Sequence, residues 1–204
     1  VGDAILTTND ANGRFVFRED PDTTYITYDK AGVYYYVIKE FIPDGAENGI
    51  YEGIAYDTSE YAVIVTVTEE VENGRSVLKA KVSYEDTVVF ENQYRAEGSA
   101  KISGKKILEG RTLSDKEFTF VLSDKDGNEI KRATNNADGD FEFIIDYNTA
   151  GVYEYTLKES SEAKAKGITY DDSVYTVKVT VEDNGDGTLS AVSAYSFGGE
   201  AVQN

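Results

Sequence analysis

Apolar and polar positions alternate with a period of two along much of the chain. Residues 61–68 and 175–181 are rich in Val, Ile, Thr and Tyr and read as strands. Residues 33–38 and 152–157 behave likewise, and Phe118/Phe120/Leu122, Phe15/Phe17 and Phe141/Phe143 also alternate. Turn signals fall between these segments: Ala11-Asn12-Gly13, Asn73-Gly74, Asp126-Gly127-Asn128, Asp138-Gly139 and Asn184-Gly185-Asp186-Gly187. No long stretch keeps a 3.6-residue period. The two prolines, Pro21 and Pro43, both stand at expected loops. Short strands separated by turn signals predict an all-β chain of β-sandwich domains.

The chain repeats itself. Gly32-Val33-Tyr34-Tyr35-Tyr36-Val37-Ile38-Lys39-Glu40 returns as Gly151-Val152-Tyr153-Glu154-Tyr155-Thr156-Leu157-Lys158-Glu159. Tyr56-Asp57 and the strand from Tyr61 return as Tyr170-Asp171 and the strand from Tyr175, and the loop from the preceding motif is longer in the first copy. Asn12-Gly13-Arg14-Phe15-Val16-Phe17 matches Asp138-Gly139-Asp140-Phe141-Glu142-Phe143. Residues 100–123 have no earlier counterpart. The expected domains are therefore 1–97, a sandwich lacking its opening strands, and 98–204, a nearly complete one. Such a chain reads as a window of a longer tandem array.

Composition narrows the chemistry. Across 204 residues there is no Cys, His, Met or Trp, so disulfides, thiol nucleophiles, imidazole bases and Cys- or His-ligated metals are excluded. The net charge is -18, with 38 Asp+Glu against 20 Lys+Arg, and no dense basic cluster appears. Nucleic acid and anionic membranes are thus not expected partners. No apolar run has the length of a membrane span, and no signal peptide opens the chain. Hydrophobic residues make up 40 % of the chain, with 16 Tyr and 9 Phe, enough to fill real cores.

Three positions stand out together. Lys106 lies on the first strand of the second copy, Glu159 follows the Tyr-rich strand, and Asn204 ends the chain. In the first copy the corresponding residues are Glu40 and Asn92, the latter within Phe90-Glu91-Asn92-Gln93-Tyr94. Lys105 is the neighbouring alternative to Lys106, and strand alternation turns only one of them inward.

Both copies resemble the isopeptide-forming pilin domains of Gram-positive surface proteins, of the streptococcal major-pilin type. The carriers are Lys106-Ile107-Leu108-Glu109-Gly110-Arg111, Phe118-Thr119-Phe120, Ala137-Asp138-Gly139, the Gly151 to Glu159 segment, Ile168-Thr169-Tyr170-Asp171 and Tyr175. The first copy adds Gly32 to Glu40, Tyr56-Asp57, Tyr61 and the segment around Asn92. The resemblance implies tandem Ig-like (CnaB/pilin-type) β-sandwiches and a spontaneous amide between Lys and Asn side chains, promoted by Glu159, with Glu40 as its first-copy equivalent. The family spacing to Leu108 favours Lys106, and Asn204, or a residue beyond it, is the acceptor. A lysine among Phe and Tyr loses hydration of its ammonium and becomes nucleophilic as the free amine. A buried Glu can polarise the Asn carbonyl and pass protons to the departing ammonia. The reaction turns over once, so this is maturation and not enzymatic turnover. Within residues 1–204 Asn92 is expected to stay unreacted, because no Lys stands at the matching place in the first copy, unless an upstream segment or another chain supplies one.

The implied role is a structural stalk or pilin segment, secreted and held on the cell wall or pilus, with neighbouring repeats or pilin subunits as partners. A plain sandwich has roughly 5–15 kcal/mol of stability. Resistance to pulling is limited by the unfolding rate, which a covalent tie would lower. The alternative is an adhesin module that binds a host glycan or matrix protein. A hydrolase built on paired carboxylates fits least. No sortase-type Leu-Pro-x-Thr-Gly signal is visible in this segment. The Asp/Gly clusters at 124–129, 136–140 and 183–187 lack the order of an EF-hand and read as hairpin turns. No cofactor or metal is expected.

Overall fold

The computed structural model describes residues 4–18, 25–84, 87–162 and 165–202. Among them every regular element is a strand. The strands are β1 (Gly32–Ile38), β2 (Ile50–Tyr51), β3 (Ile54–Ala55), β4 (Tyr61–Glu72), β5 (Arg75–Tyr84), β6 (Gln93–Tyr94) and β7 (Gly98–Lys105). They continue with β8 (Thr119–Asp124), β9 (Glu129–Thr134), β10 (Asp140–Tyr147), β11 (Gly151–Glu159), β12 (Val174–Asp183), β13 (Leu189–Phe197) and β14 (Glu200–Val202). All pairings between these strands are antiparallel. The fold is all-β, as the alternation predicts, and Ig-like, as the resemblance implies.

The chain forms two compact units. Unit 1 comprises Val1–Phe41 and Thr58–Phe90, and unit 2 comprises Ile42–Asp57 and Glu91–Asn204. The segment between β1 and β4 thus folds with unit 2. There β2, β3 and β6 form a small sheet, and Tyr94 donates its hydroxyl proton to Asp183 at 2.7 Å. The backbones of Gly53 and Gly187 approach so closely that a Cβ on Gly187 would lie 2.6 Å from the Gly53 Cα. Only glycine tolerates that contact.

In unit 2 a six-stranded sheet of order β14-β13-β12-β11-β8-β9 faces the pair β10-β7. Every second residue of β12 is apolar, so Val177, Val179 and Val181 point inward together and are almost fully buried. Ala100, Ile102, Phe141 and Phe143 close the core from the facing sheet. Phe120 of β8 and Phe141 of β10 stack across the layers with ring centroids 3.7 Å apart. Strand β7 lies over β13, where the Ser103 N–H donates to the Tyr195 hydroxyl at 3.0 Å.

Unit 1 carries the sheet β1-β4-β5, with Val63, Val65 and Val67 buried under Tyr28, Tyr34, Tyr36 and Ile38. The Asn73-Gly74 turn joins β4 to β5 with both φ angles positive, the conformation this dipeptide adopts most readily. The two units share one register. Tyr36 opposes Val63 as Tyr155 opposes Val177, and Val63 opposes Tyr84 as Val177 opposes Tyr195.

One expectation is corrected. Phe15 and Phe17 alternate like a strand, yet residues 14–18 carry no ladder. Their counterparts in β10 are held by pairing with β7, and the described part of unit 1 has no strand equivalent to β7. Phe15 packs instead against Phe17 and Phe90. Pro43 accepts the Ala46 N–H in a turn, and Pro21 lies outside the described residues.

Candidate functional site

Lys106 directly follows β7. Its N–H donates to the Gly139 carbonyl at 2.8 Å, which extends the β7–β10 ladder by one residue. Gly139 is at φ 94°, and a Cβ there would sit 2.2 Å from the Lys106 carbonyl oxygen, so glycine is required to seat this lysine. Alternation then sends Lys105 outward, where it meets Asp140 at 3.3 Å, and Lys106 inward.

Inside, the Lys106 Nζ lies 2.6 Å from Glu159 Oε2. Only 11 % of the Lys106 side chain and 4 % of the Glu159 side chain remain exposed. The Phe118 ring lies beneath the ammonium, 4.5 Å from Nζ to the centroid, and Tyr170 meets Phe118 edge-on at 5.7 Å. Glu159 ends β11 opposite Phe120, and the next residue anchors it there, with the Ser160 N–H donating to Thr119 at 2.7 Å. The second carboxylate oxygen, Oε1, is buried with no hydrogen-bond partner among the described residues. Leaving such an atom unsatisfied costs about 1–3 kcal/mol, so a native fold rarely keeps one without a use.

Asn135 builds the floor of the site. This fully buried side chain accepts the Phe118 N–H at 2.7 Å and donates to the carbonyls of Ser114 and Asn136, each at 2.8 Å. It fixes where Phe118 enters the core. Asp171 belongs to the surroundings as well. Hydrogen bonds from Ser173 hold its carboxyl below the usual range, and the nearby Lys106 charge adds to this. The sequence shows Asp171 only as half of the repeated Tyr-Asp pair and as a carrier of the family resemblance, and gives it no role at the site. The Tyr-Asp pair repeated in both copies is the signal that marks it.

The other candidate residues are placed as follows. Glu40 is half-buried just after β1 in unit 1. In unit 2 the Asn92 Oδ1 accepts the Asp57 N–H at 2.8 Å, and the Asp57 carboxylate accepts the Glu91 N–H at 3.0 Å. Asn204 lies outside the described residues. Strand β14 pairs with β13, Glu200 opposite Phe197 and Val202 opposite Tyr195, and so heads toward the Gly151 end of the sheet, away from Glu159.

The Asp/Gly clusters are turns with occupied oxygens. Asp124 Oδ1 accepts the N–H groups of Asp126 and Asn128, and Asn136 Oδ1 those of Asp138 and Asp140.

Comparison with curated proteins gives no match. The family FctA, described as a Spy0128-like isopeptide containing domain, matches residues 4–95 and again 102–204. With two tandem matches that together span nearly the whole chain, this protein belongs to the FctA family of Spy0128-like isopeptide containing domains.

Proposed function

We propose that the second repeat matures by an intramolecular amide between Lys106 and Asn204, promoted by Glu159, and that the chain is a stapled structural segment of a Gram-positive surface stalk or pilus held on the cell wall. The carrying observation is the buried Lys106–Glu159 pair at 2.6 Å, with the second Glu159 oxygen unpartnered. In the proposed reaction a proton passes from Nζ to Oε2 along this contact, leaving a neutral amine as nucleophile and a carboxylic acid. The acid hydrogen-bonds the Asn carbonyl oxygen while the amine attacks its carbon. The carbon–nitrogen bond of the side-chain amide then breaks. Both protons shed by the lysine nitrogen leave with ammonia, as ammonium. The fold supplies the high effective concentration such an attack needs.

The first repeat offers a pattern for the acceptor's seat. Asn92 is fastened to the backbone of Asp57, whose counterpart Asp171 stands beside Lys106. Closure at Asn204 therefore entails exchange of the terminal segment from the β13 edge to the Asp171 backbone. Intact mass of the denatured chain tests this. The expected result is a deficit of one ammonia, with a Lys106–Asn204 peptide on mapping. Glu159→Gln should restore the full mass while far-UV circular dichroism stays unchanged. An unmodified mass in the parent chain overturns the covalent reading, and a deficit that survives Glu159→Gln overturns the role of Glu159.

A further inference from the structure

We propose that Asp171 seats the acceptor of the Lys106 amide: its backbone N–H binds the acceptor's side-chain carbonyl oxygen, and its carboxylate holds the N–H of the residue before the acceptor. The proposal rests on the amide reading above and adds to it the part that holds the electrophile.

The first repeat carries the pattern, in two hydrogen bonds that lock each other. The Asp57 N–H donates to Asn92 Oδ1 at 2.8 Å. The Glu91 N–H donates back to Asp57 Oδ2 at 3.0 Å. One aspartate thus grips the side chain of an asparagine and also the backbone just ahead of it. With both held, the carbonyl of that side chain points one way, which is the orientation a nucleophile needs.

Asp171 is placed to do the same. Tyr170-Asp171 stands ahead of Val177 as Tyr56-Asp57 stands ahead of Val63, at the same spacing, and the two valines share one register. The backbone of Asp171 is fixed from two sides. On one, Tyr170 meets the Phe118 ring edge-on, and that ring lies beneath the Lys106 Nζ. On the other, Asp171 Oδ1 accepts the Ser173 N–H at 2.9 Å in an Asx turn. The Ser173 bonds hold the carboxyl low and the Lys106 charge adds to this, which sets the carboxylate near the amine.

The chemistry asks for such a donor. As Nζ adds to the side-chain carbonyl carbon, the C=O electron pair moves onto Oδ1. The pair returns when the bond to the amide nitrogen breaks and ammonia departs. The Glu159 acid offers that oxygen one hydrogen bond, and a carbonyl oxygen accepts two. A backbone N–H already aimed at the second lone pair stabilises the charge as it forms, with nothing left to reorganise.

The test follows ammonia loss by intact mass after a short pulse of cell-free synthesis of the full chain. The parent should lose one ammonia. Asp171→Ala should reach the same end at least about tenfold more slowly, the scale of one lost charged hydrogen bond, with far-UV circular dichroism unchanged. Asp171→Asn keeps an oxygen to accept the N–H and should stay within about threefold of the parent. Two equally slow variants would make charge, and not position, the contribution of the aspartate, and the proposal fails. If Asp171→Ala keeps pace with the parent, the proposal fails and the amide stands. A parent of full mass overturns the amide and this proposal together. In the first repeat, Asn92→Ala should speed hydrogen exchange of the Asp57 amide at least about tenfold. An unchanged rate there removes the pattern and overturns the proposal by itself.

Discussion

A lysine and a glutamate face each other at 2.6 Å inside an apolar wall, with the Phe118 ring beneath the ammonium. Before any bond forms, removing one charge strands the other. In a chain held unreacted by Asn204→Ala, Lys106→Met is expected to cost about 3–5 kcal/mol in denaturant unfolding. The double change Lys106→Met with Glu159→Leu should recover most of that loss, because two apolar residues then fill the site. A different pair answers to acid. The Glu117 carboxyl is held down at about 2 by hydrogen bonding to Arg111 and then by the Ser114 N–H. A depressed carboxyl stabilises the fold above its unfolded value, about 4.3, and that contribution is lost as pH falls toward 2. Glu117→Gln should flatten the stability profile between those limits, measured by urea unfolding at several pH values. At this scale the sequence was partly legible. The internal repeat marks Glu159 through Glu40, alternation turns only one of Lys105 and Lys106 inward, and the family resemblance selects Lys106. The approach of Phe118 and Asp171 depends on how distant segments cross, which no local spacing encodes.

At the level of elements, a buried amide does the work of a wall. Asn135 spends both ends of its side chain on the backbone around Phe118. Asn135→Ala leaves a buried N–H and two carbonyls unpaired, and a loss of about 3 kcal/mol is expected. In a chain that makes the Lys106 amide, the same change should slow the accompanying ammonia release, because Phe118 no longer holds the lysine in place. Time-resolved mass spectrometry of freshly refolded protein reads that rate. Strand identity and register were well written in the chain. Val63 and Val177 take equivalent partners on both sides, as the matched motifs require. The alternation of Phe15 and Phe17 misled for a physical reason. A strand is defined by its partner, and its own pattern records only which face is apolar.

For the molecule as a whole, the repeat boundary in the sequence and the grouping in space are different things. Residues 42–57 lie between β1 and β4 in the chain but pack with β6 and the β12–β13 hairpin. No hydrophobic period announces this, since the contact rests on two glycine backbones and one tyrosine hydroxyl. Gly187→Val should dislodge the small sheet. Faster hydrogen exchange in residues 42–57 is expected, with the mass change at Lys106 unaltered.

That excursion has a consequence for the order in which the chain folds. Strands β1 and β4 must find each other across residues 42–57, and a long free loop makes such a pairing slow. Once those residues are seated on unit 2, the two ends of the loop are already held in place, and most of the entropy of closure has been removed in advance.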